Sequence, residues 1–300
     1  MRFASLGSGS EGNSLVVETY AEASAQASAA TSIAMLAPDT ADAINGRGGE
    51  RPWRVMIDCG FGVRQAEARL MRLGIDPTSL DAILITHEHG DHIGGVFALA
   101  RRYRIAVWAS HGTLQSVMTE RFDGVSVNVC SSHDAFSIGA IGVRPFPVPH
   151  DAREPTQFVL DDGVHRLGVL TDTGRSTMHI IDSLAGCDAL VMECNHDAAM
   201  LEASDYPYPL KRRISGAYGH LSNEAAAEIV SLLDRSRLSR IVAAHLSRTN
   251  NTVDLARAAL AAATGWPQTR IDVADQDLGL EWIDLGSRSD GRILSAEELG

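Results

Sequence analysis

Apolar residues along this chain gather into short runs, and most of those runs end on polar clusters. Arg2 to Leu6 reads as a first strand entering the turn Gly7-Ser8-Gly9-Ser10-Glu11-Gly12-Asn13-Ser14, and Leu15-Val16-Val17 as a second. Trp53 to Ile57 predicts a third strand ending on Asp58-Cys59-Gly60. Val63, Ala66, Leu70 and Leu73 fall at helical spacing, with Gly74 and Pro77 to end that helix. Ala82-Ile83-Leu84-Ile85 is short enough for a buried strand and runs straight into Thr86-His87-Glu88-His89-Gly90-Asp91-His92. The design recurs. Val143 to Val148 precedes His150, Leu167 to Leu170 precedes Asp172, Ala189 to Met192 precedes Glu193, and Arg240 to Ala244 precedes His245. Ser222 and Thr252 are placed to cap two further helices, the second carrying Asp254 in its first turn and Gly265 and Pro267 beyond its end. Strands and helices alternate in both halves. This predicts an α/β protein of two similar halves, its sheets face to face and helices outside, with strand ends on one rim, where such sheets place ligands.

Residues 21–51 break the pattern. They are rich in Ala, Ser, Thr and Gly and poor in large apolar side chains, so they offer too little burial to offset the entropy of ordering them. The expectation is one domain over residues 1–300 with an insertion at 21–51 in a hairpin; a helix within the insertion stays open. No run approaches the roughly 18 apolar residues a membrane helix needs. The first ten residues lack the apolar stretch of an export signal, so a cytoplasmic protein without membrane contact is expected.

A hydrophobic content of 45% over 300 residues supplies a sizeable core. Cys59, Cys130, Cys187 and Cys194 stand singly with no CxxC pair, as buried thiols do, and unlike a disulfide framework or cysteine zinc knuckle. The net charge of −12 argues against a broad basic surface holding nucleic acid. It leaves a nucleic-acid substrate open, because two bound divalent cations would add four positive charges in one cleft.

His87, His89, Asp91 and His92 carry the strongest chemical signal. Alternate residues of an extended chain share a side, so His87 and His89 can hold one cation; as the chain turns into a helix, Asp91 and His92 reach a second. Imidazole with carboxylate suits zinc or manganese, and also iron.

The run from Thr86 to Gly95 resembles the signature of the metallo-β-lactamase superfamily, an αββα sandwich of two mixed sheets. By that resemblance Asp58 steadies the ligands, His150 completes a histidine triad at the first metal, and Asp172 bridges both metals. The YycJ-like (WalJ-like) group, related to ribonuclease Z, is resembled in finer detail. The residues concerned are Gly7-Ser8-Gly9-Ser10, Gly12-Asn13-Ser14, Thr171 to Gly174, Glu193 to Asp197, Gly219 to Asn223, His245-Leu246-Ser247 and Asn250-Asn251. The resemblance implies His245 as last ligand of the second metal and His220 with Glu193 as a proton-donating pair. The competing assignment exchanges the two, with His220 on the metal and His245 on the substrate.

The implied activity is that of a binuclear hydrolase acting on phosphodiesters of nucleic acid, perhaps a 5′-to-3′ exonuclease. Water shared by two cations becomes hydroxide near neutral pH, Asp91 or Asp172 orients it, and His220 protonates the leaving oxygen. Ser8, Ser10, Asn13 and Ser14 offer hydroxyls and backbone N–H groups for a phosphate, with Ser247 and His196 as further candidate contacts; an ordinary hairpin turn is the plain alternative. Lys211-Arg212-Arg213 is a short basic run that could meet a nucleic-acid backbone, with a solvated face as the favoured account. The alternatives are a glyoxalase-II-type thioester or small-ester hydrolase, which expects a basic clamp that residues 284–300 lack, and a non-catalytic metal-binding member. The oligomeric state is left open.

Overall fold

The computed structural model describes residues 1–20 and 51–286. All but Arg51 of the insertion expected at 21–51, including any helix in it, lies outside the described residues. The first half runs β1 (Arg2–Gly7), β2 (Ser14–Thr19), β3 (Trp53–Ile57), α1 (Val63–Arg72), β4 (Ala82–Leu84), α2 (Gly90–Ile93), α3 (Val96–Tyr103), β5 (Ala106–Ser110), α4 (His111–Gln115) and β6 (Val127–Cys130). The second begins with β7 (Phe136–Ile138), β8 (Ile141–Pro147), β9 (Thr156–Asp161), β10 (Arg166–Leu170), α5 (Met178–Leu184) and β11 (Ala189–Glu193). It continues through α6 (Ala198–Ala203), α7 (Tyr208–Ile214), α8 (Asn223–Leu232), β12 (Arg240–Ala244), α9 (Val253–Thr264), β13 (Ile271–Val273) and β14 (Leu280–Asp284).

Two seven-stranded sheets result, ordered β14-β1-β2-β3-β4-β5-β6 and β13-β12-β11-β10-β9-β8-β7. From β14 the first sheet has three antiparallel pairings followed by three parallel ones. From β7 the second repeats that succession. C-terminal β14 closes the first sheet against β1, which the sequence pattern did not suggest.

Side-chain alternation distributes the strands over three apolar layers. Val55 and Ile57 of β3 enter the layer between the sheets with Phe158, Leu160, Leu167, Val169, Val191 and Val242. Met56 faces the other way, toward Leu70 of α1 and Leu99 of α3. On the second sheet Leu190, Met192, Ile241 and Ala243 face outward to Ile180, Ile229 and Leu260 on α5, α8 and α9. The strands are therefore apolar on both sides, as strands covered by helices on one face and by another sheet on the other must be.

The predicted caps are present. Ser222 accepts from the backbone N–H of Ala225, Thr252 accepts from Leu255, and Gly265 ends α9 in the left-handed region at φ 74°. Among the described residues no helix is long and apolar enough to cross a membrane.

Phe158 lies fully buried in the layer between the sheets. Phe158→Ala is expected to destabilise the protein by about 3–5 kcal/mol, read as a lower urea midpoint at unchanged slope. A cost below about 1 kcal/mol would contradict tight packing between the sheets.

Candidate metal centre

Five parallel-running strand ends and the turn after β4 deliver the polar residues to one rim. Asp58 follows β3, His150 follows β8, Asp172 follows β10, Glu193 ends β11 and His245 follows β12. Of the four non-glycine residues with positive φ among those described, three are Asp58 (57°), Asp172 (53°) and His245 (57°). The left-handed conformation costs roughly 1–2 kcal/mol for an ordinary side chain. Here it turns each side chain off the end of its strand and into the cleft, the kind of strain that concentrates at functional sites. Gly60 permits a close approach: a Cβ there would lie 1.9 Å from the carbonyl oxygen of Asp91.

His87, His89 and His150 form a first group, with ring centroids 4.6–5.0 Å apart. Their outer nitrogens fix which atom faces inward. The Thr86 hydroxyl donates to Asp58 Oδ2 at 2.7 Å, so it can only accept from His87 Nδ1, 2.9 Å away. His87 Nε2 is then a lone pair, buried and without a partner. His150 Nδ1 donates to the carbonyl of Gly219 at 3.0 Å, and its Nε2 faces His89 Nδ1 at 3.2 Å. Burial holds His87 well below the usual imidazole range and lowers His150 as well. Neutral rings with inward lone pairs are what a cation requires.

Asp91, His92 and His245 form a second group, and Asp172 stands between the two. Its Oδ2 lies 3.1 Å from His92 Nε2, and its Oδ1 lies 3.6 Å from His245 Nε2 and 4.0 Å from His150 Nε2. His245 Nε2 is also 3.6 Å from Asp91 Oδ2, and is buried with no hydrogen-bond partner. Burial opposes a charge on His245, but Asp172, Asp91 and Glu193 outweigh it and push its pKa up to about 10. Against the cost of burial, His245 and His92 hold the Asp172 carboxyl well below the usual range.

His92 receives conflicting demands. Its Nδ1 donates to Asp58 Oδ2 at 2.8 Å. Although burial disfavours the cation, Asp172 and Asp58 favour a second proton well above the usual imidazole range. Yet the Asn13 amide Nδ2 faces His92 Nε2 at 3.1 Å as a donor, since its Oδ1 accepts from the Gly9 N–H at 2.8 Å. With Asn13 Nδ2 also 3.3 Å from Asp91 Oδ2, a divalent cation held by Asp91, His92 and Asp172 would supply the positive charge these carboxylates call for and leave the ring neutral. The donor set fits zinc, manganese or iron.

Glu193, fully buried, accepts from His220 Nδ1 at 2.8 Å and from His245 Nδ1 at 3.3 Å through Oε1, and from the Thr173 N–H at 3.0 Å through Oε2. His220 therefore keeps Nε2 for other partners. Burial works against its charge, but Glu193 and Asp172 raise its pKa. An open cleft of about 440 Å³ lies over the groups, lined by His89, Asp91, Asp172, His220 and His245 among others.

The expected phosphate-contact residues divide. Ser10 and Ser247 line the cleft. Ser8, Asn13 and Ser14 are buried: Ser8 accepts from the His245 N–H at 2.8 Å and Ser14 donates to the Asp58 carbonyl at 2.8 Å. Within this turn the N–H groups of Ser8, Gly9, Gly12 and Asn13 bond inside the protein. This turn holds the site together from behind. His196 is likewise buried, against Asn195 and Ser222, and does not line the cleft.

Residues that sequence reading passed over stand close by. Thr86 fixes the His87 tautomer, and Asn195 donates to the His245 carbonyl at 3.1 Å. Asp151 places Oδ1 3.5 Å from His150 Nε2 and 3.8 Å from His89 Nε2. Its adjacency to His150 was the available signal.

Residues 53–245 match the family model of the beta-lactamase superfamily domain, and the chain belongs to that family, with its metallo-β-lactamase fold. Over 207 residues it is 34% identical to exodeoxyribonuclease YycJ of Bacillus anthracis, covering 68% of this chain and 78% of that one. It is also 34% identical over 209 residues to exodeoxyribonuclease WalJ of Streptococcus pneumoniae, covering 68% and 77%. The crystal structure of the metallo-β-lactamase-fold protein YhfI from Bacillus subtilis has the same fold, with a TM-score of 0.64 at 13% identity over 94% of this chain and 99% of that one.

Metal uptake is expected to expel protons. A pKa raised to about 10 leaves His245 charged at pH 7 in metal-free protein, whereas a ligand must be neutral, so affinity rises with pH up to about that value. Titration calorimetry of EDTA-treated protein in buffers of different ionisation enthalpy should report net proton release, with contributions from His245 and His92. Heats independent of the buffer would contradict a cationic second group.

Proposed function

We propose that this metal-dependent hydrolase cleaves phosphodiester bonds of nucleic acid, as a 5′-to-3′ exonuclease, with two divalent cations. The position of Asp172 between two groups of inward-facing imidazoles, beside the Glu193–His220 pair, carries the reading. The names of the YycJ and WalJ relatives support it independently. In this assignment His87, His89 and His150 hold one cation, Asp91, His92 and His245 the other, and Asp172 both. His245 is preferred to His220 as the last ligand because its Nε2 faces Asp91 and Asp172, whereas His220 has Nδ1 on Glu193. Zinc or manganese, when bound, acidifies water and neutralises charge gathering on a phosphate.

The chain's own groups then have defined tasks. Asp91, on the open side of the cleft, orients the attacking water. That water's oxygen bonds to phosphorus as the bond to the leaving oxygen breaks. His220, charged because Glu193 and Asp172 favour its imidazolium, passes the Nε2 proton to the departing oxygen. Glu193 keeps Nδ1 bound throughout, which fixes the ring's direction. Ser8, Asn13 and Asp58 hold His245, Asp91 and His92 in place.

The purified protein is expected to hydrolyse bis(p-nitrophenyl) phosphate with added manganese or zinc, and Asp172→Ala to abolish that activity. Turnover surviving in the variant would overturn the shared carboxylate, and cleavage of a thioester in preference to the phosphodiester would overturn the substrate class. A second expectation concerns His220→Ala. It should retain the full metal content by mass spectrometry yet cleave oligonucleotides about 10²-fold more slowly, with a smaller effect on the p-nitrophenyl ester, whose leaving group departs without a proton. Loss of one metal equivalent would favour the exchanged assignment of His220 and His245.

A further inference from the structure

Part of the cleft wall is built by the segment that carries α7. Tyr206, Leu210, Arg213 and Ile214 face into the opening. Among the described lining residues Arg213 is the only arginine or lysine. In a chain of net charge −12 that cation sits over a centre otherwise lined by carboxylates and imidazoles. Sequence reading weighed Lys211-Arg212-Arg213 as a solvated face against contact with a nucleic-acid backbone. Both arginines are exposed; Arg212 lies 5.9 Å from the Tyr208 ring centroid, and Arg213 lines the cleft.

Arg213 has an exchangeable partner. Its Nε donates to Asp151 Oδ2 at 2.7 Å, with the two side chains 64% and 33% exposed. A pair so open to water is worth little, roughly 0–1 kcal/mol. A phosphodiester offers the guanidinium a partner of matching fork geometry and stronger hydrogen bonding. Asp151 meanwhile holds the arginine on the cleft wall beside His89 and His150. A phosphate leaving that centre along the strand therefore passes within reach of Arg213.

The opening of about 440 Å³ has room for a nucleotide or two beside the centre. Tyr206 lines the same wall, and an aromatic ring beside a backbone-tracking cation is the arrangement by which single strands are held without reading their sequence.

We propose that Arg213 is a specificity-determining residue that takes a non-scissile phosphate of single-stranded nucleic acid, with Tyr206 as the stacking surface for a neighbouring base. The proposal rests on the phosphodiesterase reading of the centre. Asp151 is the positioning residue that keeps Arg213 aimed before substrate arrives.

The test compares parent protein, R213A, R213K and Y206A on a single-stranded 10-mer of thymidylate, on the same length as duplex, and on bis(p-nitrophenyl) phosphate. R213A is expected to raise KM for the single strand about tenfold while kcat/KM for the small ester falls less than about threefold. The slope of log affinity against log salt should flatten by about 0.7 in R213A, and R213K should restore the slope but only part of the affinity. Y206A should raise KM at least about fivefold and leave the slope alone. Parent protein should prefer single strand to duplex. Equal losses on both substrates, an unchanged salt slope, or a preference for duplex would overturn the role of Arg213 while leaving the phosphodiesterase reading intact. Hydrolysis of neither phosphodiester by the parent protein would overturn that reading, and this proposal with it. Thermal melts of the variants within a few degrees of the parent exclude a folding defect as the cause.

Discussion

The cost of burying carboxylates dominates this structure. Asp58, Asp172 and Glu193 are all nearly or fully removed from water, and an unpaired buried carboxylate costs several kcal/mol. Imidazoles compensate it, with His92 on Asp58 and Asp172, and His220 and His245 on Glu193. Each imidazole is thereby given an outer anchor and an inner nitrogen. One arrangement answers both the need for stability and the need for directed lone pairs. Asp172, Asp91 and Glu193 favour a proton on His245 against the cost of burying it, so positive charge at this position balances the buried carboxylates.

That balance depends on geometry the sheets impose. β10, β11 and β12 are parallel neighbours, so Asp172, Glu193 and His245 emerge side by side. The first sheet contributes Asp58 and the His87–His92 turn from β3 and β4, also parallel neighbours. The repeated pairing order of the two sheets brings these ends to a common rim. Left-handed turns at Asp58, Asp172 and His245 then direct side chains inward. The N-terminal turn adds a support that belongs to neither strand set, since Asn13 and Ser8 bind Asp91 and His245 across more than seventy residues of chain. The polar groups of Ser8, Asn13 and Ser14 are committed to that support, while Ser10 of the same turn lines the cleft.

Much of this was legible in the sequence. Runs such as Ala82–Ile85 and Arg240–Ala244 announce buried strands by composition and length, and the residues after them announce chemistry by type and spacing. Ser222 and Thr252 mark helix starts because a capping hydroxyl acts on backbone only three residues away. The short strands β6, β7 and β13 carry no comparable local signal, whereas α6 starts on an Asp197 cap and α7 on prolines that the apolar pattern alone does not bring out. The same limit applies to the pairing of β14 with β1, residues nearly three hundred positions apart.

The sequence by itself determined the strand-and-helix order and the set of titratable residues at strand ends, because periodicity and residue type are local properties of a chain. Only the tertiary structure decided which nitrogen of each histidine faces inward, that Ser8, Asn13 and Ser14 serve the interior, and that Arg213 rather than Arg212 lines the cleft. Those outcomes depend on partners distant in sequence, such as Thr86 with Asp58, His245 with Ser8, and Arg213 with Asp151. A hydrogen bond's direction is fixed only once both ends are in place.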